Sequence, residues 1–283
     1  GGNSFEVEYG RVGSTKVKQT YDMSKWDKIL RDKLKKYTDI SHLHEDVAIE
    51  ENEINIKDAK VKALITELQR FSTQHVKGSY SISASKVTPQ MIAHARTIID
   101  ELPKLVEDKN TELVNAKLLS LYQTIPRKMK NVKDYLVGSL SVRESVKSAV
   151  KTIEQEIQTL DAMESQSKIA TSVKPKSNGP DIDFLESIGL KIVPATDAEI
   201  VEVRDKLMNG INRNFGKLFK VVNIETEKLY QENLKKAKNK KEELLFHGSR
   251  NQNWISIMMN GLKIRPSGAI HTGSMFGDGI YGA

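Results

Sequence analysis

The chain has 283 residues, with 44 Lys plus Arg against 37 Asp plus Glu, a formal charge of +7 and a pI of about 9.2. Cysteine is absent, which excludes disulfides, thiolate nucleophiles and cysteine-bound zinc or iron–sulfur centres. With 38% hydrophobic and 29% charged residues, no bilayer-length apolar run and no signal-peptide pattern, the expectation is a water-soluble, intracellular protein of two or three domains. The basic excess is a weak pointer to a polyanionic partner.

In chain order, "SFEVEYGRVG" alternates Phe5, Val7 and Tyr9 with Ser4, Glu6 and Glu8, the period of a half-buried strand. "MSKWDKILRDKLKKY" reads as a helix with Ser24 as N-cap and Trp26, Ile29, Leu30 and Leu34 on one face. Basic residues dominate from Arg11 to Lys36, and one strand with one helix suggests a start inside a domain. Residues 44–56 belong to an acidic stretch read as a linker; His42 and His44 beside it match no metal-ligand spacing.

Helical periodicity runs from Lys57 to about Glu164, predicting an antiparallel bundle. Its stripes are Val61, Leu64, Ile65, Leu68 and Phe71; Ile92, Ala95, Ile99 and Leu102 after a Thr88-Pro89 cap; Leu113, Ala116, Leu119 and Tyr122; and Val142 to Leu160 behind a Ser141/Glu144 capping box. Residues 166–180, rich in Pro, Gly, Ser and Lys, read as a linker unsuited to a core. "GLKIVP" and "LFKVVNIE" read as strands, Thr196 and Glu199 as a capping box for a helix to about Met208, and the five lysines between Lys235 and Lys241 as a solvated helix end or loop.

"ELLFHGSRNQNWISIMMNGLKI" concentrates the chemistry. Leu244 to Phe246 suit a short buried strand, with His247-Gly248-Ser249 at its end; Trp254, Ile257 and Met258 form a helical stripe, stopped by Gly261 and Leu262. "GDGIYG" near the end has the letters of a dinucleotide turn. It lacks the strand before and the helix after that a doubly wound dehydrogenase requires, and no G-K-[ST] follows.

"LLFHGSR", "NGLKI" and "GSMFGDGIYGA", in this order and spacing, resemble the first half of the catalytic domain of the poly(ADP-ribose) polymerases. "YGRVG…KKYTDIS" is similar to the latter part of a WGR domain, and the helical stretch with "VTPQMIAHARTIIDEL" and "LYQTIPRKM" to the family's regulatory helical domain. The resemblance implies an α+β chain: a partial WGR β-sheet plus helix over 1–43, the acidic linker 44–56, a regulatory helical domain 57–165, a linker 166–180, and a truncated mixed α/β ADP-ribosyltransferase domain 181–283. It implies NAD as substrate with no metal. Gly248 would grip the nicotinamide carboxamide through its backbone, Ser249 would add a hydrogen bond, His247 would hold a ribose hydroxyl, and Tyr281 would stack on the ring. Ser256 and Lys263 would face the adenosine side. Tyr9 and Arg11 would contact DNA ends or breaks, protein acceptors would include the chain itself, no membrane is involved, and a nuclear setting follows, or a cytoplasmic one for a bacterial or viral member.

Taken singly, His247 and Tyr281 have packing explanations; taken together and in order they favour the site. The sequence departs from the family at Tyr9, where the tryptophan of the WGR name stands, at Lys263, often arginine, and at Gly282, usually bulky and apolar. The family's catalytic glutamate, far downstream of the tyrosine, has no counterpart among these 283 residues, so full polymerase activity is not expected of them. The alternative is a catalytically inactive or mono-transferring nucleic-acid-binding scaffold of the same architecture.

Overall fold

The structure, a computed structural model, describes residues 3–9, 17–34, 55–172, 183–207 and 216–262. It is mostly helical, with two antiparallel two-stranded ladders among the described residues. Packing divides these residues into two units, one of 3–34 and 76–160, the other of 55–75 and 161–262.

In the first unit, β1 (Ser4–Tyr9) pairs antiparallel with β2 (Val17–Asp22), Ser4 opposite Asp22 and Tyr9 opposite Val17. The expected alternation holds: Phe5, Val7 and Tyr9 are the less exposed face. Phe5 stacks on Tyr21 at 5.7 Å and meets Trp26 edge-on at 5.0 Å, at the start of α1 (Trp26–Leu34). Ser24 is not the cap. Asp22 caps the preceding 3-10 turn, its carboxylate accepting from the Ser24 N–H (2.9 Å) and hydroxyl (2.6 Å), and these bonds hold its pKa below the ordinary value.

α3 (Pro89–Glu107) starts as expected, Thr88 accepting from the Met91 N–H with Pro89 in the first turn, and it buries Ile92, Ala95, Ile99 and Leu102. A short turn through Lys109, at φ 55°, leads into α4 (Thr111–Thr124), capped by Asn110. The face of α4 differs from the predicted one. Leu113 and Leu119 are exposed, while Val114, Leu118, Leu121 and Tyr122 are buried. Both stripes are apolar, so periodicity does not choose between them; Tyr122, common to both, is buried as expected and donates its hydroxyl proton to the Tyr135 carbonyl at 2.9 Å. α5 (Arg143–Ser172) begins two residues after Ser141, whose hydroxyl engages that of Ser139 at 2.7 Å.

Within this unit Arg127 and Glu156 form an ion pair at 3.0 Å, their side chains only 8% and 7% exposed. The guanidinium also lies over the Tyr80 ring at 4.8 Å, and its Nε and Nη1 have no hydrogen-bond acceptor. Burial pushes the Glu156 carboxyl above its ordinary pKa, against the pull of Arg127.

The second unit is organised by one apolar cluster. Ile56, Val61 and Ile65 come from the start of α2 (Ala59–Ser79) and its approach, Ile169 from α5, Phe184 and Leu185 from α6 (Phe184–Ser187), Leu190 and Ile192 from β3 (Leu190–Pro194), and Ile255 from α9 (Trp254–Asn260). Asp58 caps α2 by accepting from the Lys60 and Val61 N–H groups at 2.8 and 3.0 Å. Two expectations are corrected here. Ile56, placed in the acidic linker, is core; and α5 continues to Ser172, with Gln166, Ser167 and Ile169 buried in the stretch read as a second linker. Polarity misled because these side chains find partners: Gln166 donates to Ser72 Oγ (3.0 Å) and exchanges bonds with Gln69 at 2.8 and 3.2 Å. Residues 44–54 of the acidic stretch, with His42, lie outside the described residues.

β3 pairs antiparallel with β4 (Phe219–Asn223), Leu190 opposite Asn223 and Pro194 opposite Phe219. Between them, the capping box of α7 (Asp197–Lys206) forms as expected: Glu199 N–H donates to Thr196 Oγ1 at 3.3 Å and Thr196 N–H to Glu199 Oε2 at 2.9 Å. The Thr196 bonds, then Lys220, hold the Glu199 pKa below its ordinary value. The strand read through Glu225 ends at Asn223, which caps α8 (Ile224–Lys236).

Arg127→Ala leaves a buried, unpaired carboxylate and is expected to lower unfolding free energy by about 3 kcal/mol in urea titrations. Because the folded-state pKa of Glu156 is raised, its proton favours the folded state. The stability of wild type relative to Glu156→Gln is therefore expected to fall as pH rises from below the ordinary glutamate pKa through the raised value. Gly261 stands at φ 73°, ψ 176°, and a Cβ there would meet Thr226 Cγ2 at 3.2 Å, so Gly261→Ala is expected to cost about 2 kcal/mol by the same measurement.

Candidate nicotinamide-binding segment

α8 closes with the Ala237 N–H on the Asn233 and Leu234 carbonyls, after which residues 237–250 run as irregular chain. The lysine run is solvated, as expected, with Lys241 paired to Glu243. The Tyr230 hydroxyl on α8 donates to Glu242 Oε2 at 2.5 Å, a bond that raises the tyrosine pKa.

Leu244, Leu245 and Phe246 are 75%, 67% and 42% exposed and form no strand, against expectation. A strand is stable only with neighbours to pair and a face to bury. Among the described residues the two ladders are β1–β2 and β3–β4, and neither extends to this segment.

His247 follows at the surface, its ring edge-on to Trp254 with centroids 6.5 Å apart. Ser249 is half-buried, and its hydroxyl accepts from Asn253 Nδ2 at 3.2 Å. Arg250 precedes the 3-10 turn Asn251–Asn253, which runs directly into α9. Gly248 is the telling position. A Cβ built on it meets nothing within 4 Å, and the described glycines with positive φ are Gly189 and Gly261. As at Gly78 and Gly216, neither backbone conformation nor packing inside the protein requires glycine there.

The helix behind the segment is held by its buried face. Ile255 is 2% exposed, and Asn260 donates to the Ser256 carbonyl at 3.1 Å while accepting from Lys168 Nζ of α5 at 3.2 Å. Gly261 stops the helix as predicted, its N–H on the Ile257 carbonyl at 2.8 Å, but Leu262 is exposed at 40%.

Of the expected site residues, His247, Gly248 and Ser249 thus stand together with Asn253 and Trp254. Ser256 is 8% exposed, its hydroxyl 3.4 Å from Asn260 Nδ2. Tyr9 lies in the other unit, on β1, its ring beneath Lys33 Nζ at 4.2 Å and its hydroxyl donating to Gln19 at 3.4 Å. Arg11, Lys263 and Tyr281 lie outside the described residues. Asn253 and Asn260 were not anticipated; their signal is the asparagine-rich "NQNWISIMMN", since a short amide reaches backbone and hydroxyl groups one helical turn away. Among the described residues no group of three His, Asp or Glu side chains is placed to hold a metal, and no helix is long and apolar enough to cross a membrane.

Residues 198–283 match the poly(ADP-ribose) polymerase catalytic domain. Uncharacterized protein 101L of Invertebrate iridescent virus 6 is 32% identical over 179 residues, covering 63% of this chain and 73% of that protein. Poly(ADP-ribose) polymerase 2-B of Oryza sativa subsp. japonica is 23% identical over 82% of this chain and 40% of its own length. The putative poly(ADP-ribose) polymerase-like 100L of the same virus is 36% identical over 29% of this chain and 45% of its own length. The match thus spans less than half of each of the two polymerase-named relatives. On these matches, the chain belongs to the poly(ADP-ribose) polymerase family.

Proposed function

We propose that this chain carries the nicotinamide-binding part of an NAD-dependent protein ADP-ribosyltransferase, activated by DNA ends or breaks. Gly248 holds the nicotinamide carboxamide through its backbone N–H and C=O, Ser249 adds a hydrogen bond from its hydroxyl, and His247 holds a ribose hydroxyl. Tyr281 stacks on the ring, and Lys263 faces the adenosine side. A role for Ser256 there requires its hydroxyl to leave Asn260. With both sides of the glycosidic bond fixed, the ribose C1′–nitrogen bond breaks and nicotinamide leaves with the electron pair. A nucleophile of the acceptor protein then bonds to C1′ and gives up its proton. The protein's contribution is positioning and stabilisation of the oxocarbenium-like ribose.

The observation that carries this reading is Gly248, open on the side where a Cβ would stand and under no internal demand for glycine, between a surface histidine and a partnered serine. Family membership supplies the reaction class. For DNA, the support is the exposure of Lys18, Lys25, Lys28 and Arg31 on β2, the turn after it and α1, in the unit that carries Tyr9. The domain roles follow the same analogy: a WGR-like segment over 1–43, a regulatory helical region over 57–165 and a transferase region from 181. The setting is nuclear, or cytoplasmic for a viral protein.

Gly248→Ala is expected to leave the melting temperature unchanged but to abolish the NAD-induced thermal shift, and His247→Ala to weaken that shift about tenfold in NAD concentration. A shift retained in both variants overturns the site. Arg11→Ala is expected to weaken binding to a DNA end about tenfold and to reduce the salt slope by about one, measured by fluorescence anisotropy across salt.

A further inference from the structure

β4 ends on a side chain whose hydrogen-bonding capacity is fully committed. Asn223 Oδ1 accepts from the backbone N–H groups of Glu225 (3.1 Å) and Thr226 (3.0 Å), capping α8. Its Nδ2 donates to the carbonyls of Met258 (2.9 Å) and Met259 (2.8 Å), in the last turn of α9. Those carbonyls are among the four that a helix end leaves without an intrahelical donor. A carboxamide offers two N–H donors and two acceptor lone pairs, and here every one is used, so the orientation of the amide is determined by its partners. Reversed, its oxygen would face two carbonyl oxygens.

α9 has seven residues and is joined to the His-Gly-Ser segment by Arg250 and the turn Asn251–Asn253. Its apolar anchorage, centred on Ile255, is non-directional: it holds the helix down without setting its rotation or its position along its own axis. The two Asn223 bonds are directional and, together with the Lys168 bond to Asn260, do both. The close approach of Thr226 Cγ2 to the Cβ position of Gly261 marks the same junction from the α8 side.

We propose that Asn223 is a positioning residue for the nicotinamide-binding segment. By pinning the C-terminal turn of α9 to the end of β4, it sets where Asn253 and Trp254 stand at the other end of that helix. Those two residues hold the Ser249 hydroxyl at 3.2 Å and face the His247 ring at 6.5 Å. The inference rests on the reading of His247 to Ser249 as the nicotinamide site.

The test separates capping from clamping. Asn223→Asp keeps the cap acceptor, cannot donate, and turns a carboxylate toward the two carbonyls; Asn223→Ser keeps a cap oxygen without adding charge. Both are made in the full 283-residue chain carrying Trp26→Phe, which leaves Trp254 as the sole tryptophan. Acrylamide quenching of Trp254 is expected to rise about twofold in both variants with far-UV circular dichroism unchanged, as local order is lost without unfolding. The NAD concentration at half response is expected to rise about tenfold. Should the Asp variant not fold, the Ser variant decides. Wild-type quenching and NAD response in the Ser variant would overturn the proposal, because capping alone would then account for Asn223. A parent chain that gives no response to NAD counts against the nicotinamide reading, while Trp254 quenching without NAD answers for Asn223 in either case.

Discussion

A helix of seven residues, two turns, cannot stand by itself in water, because nucleation costs more than so few hydrogen bonds return. α9 exists because Ile255 enters an apolar cluster built from α2, α5, α6 and β3. That constraint orders the rest of the second unit. The His-Gly-Ser segment precedes this helix and takes its local support from the helix's first residue and the turn before it, through Trp254 and Asn253. Gly261 follows it and must be glycine to leave it in the direction taken.

Buried polar groups play a different part in each unit. Around Gln166, amide and hydroxyl partners on α2 satisfy one another, so the register between α2 and the last turns of α5 is specified at little cost in unmet hydrogen bonds. At Arg127 and Glu156 the accounting is less complete: one bond joins the charges, a ring face covers the cation, and two guanidinium nitrogens stay without an acceptor. Such a pair contributes less to stability than its Coulomb attraction suggests, since both ions have left water. Its removal on one side alone is nevertheless severe.

Much of the architecture was legible from local signals. The Thr88-Pro89 start, the Thr196/Glu199 box, the alternation of Phe5, Val7 and Tyr9, and the stripe from Val61 to Ile65 all act within a few residues, which is the range a sequence pattern encodes. The misreadings involve distant partners. Gln166 and Ser167 look like linker until Gln69 and Ser72, almost a hundred positions earlier, are brought beside Gln166. α4 is apolar on two faces, and its neighbours choose between them. Leu244 to Phe246 have strand composition but no adjacent ladder among the described residues. For the candidate site, the motif residues were legible and their supports were not: Asn253, Asn260 and Asn223 are ordinary loop and cap residues until their acceptors are known.

The three glycines Gly189, Gly248 and Gly261 show how the same letter carries different information. Gly189 and Gly261 have φ of 70° and 73°, so a side chain there strains the backbone, and at Gly261 it also strikes Thr226. Their reason lies inside the fold. Gly248 shares neither property. A Cβ at Gly248, as at Gly78 and Gly216, meets nothing within 4 Å; what sets Gly248 apart is its place between a histidine at the surface and a serine held by Asn253. What a bare peptide unit offers an incoming molecule is one donor and one acceptor a few ångströms apart with no side chain in the way. A planar carboxamide, presenting one of each in return, is complementary to that surface. On the proposed reading, the nicotinamide of NAD presents such a group to Gly248.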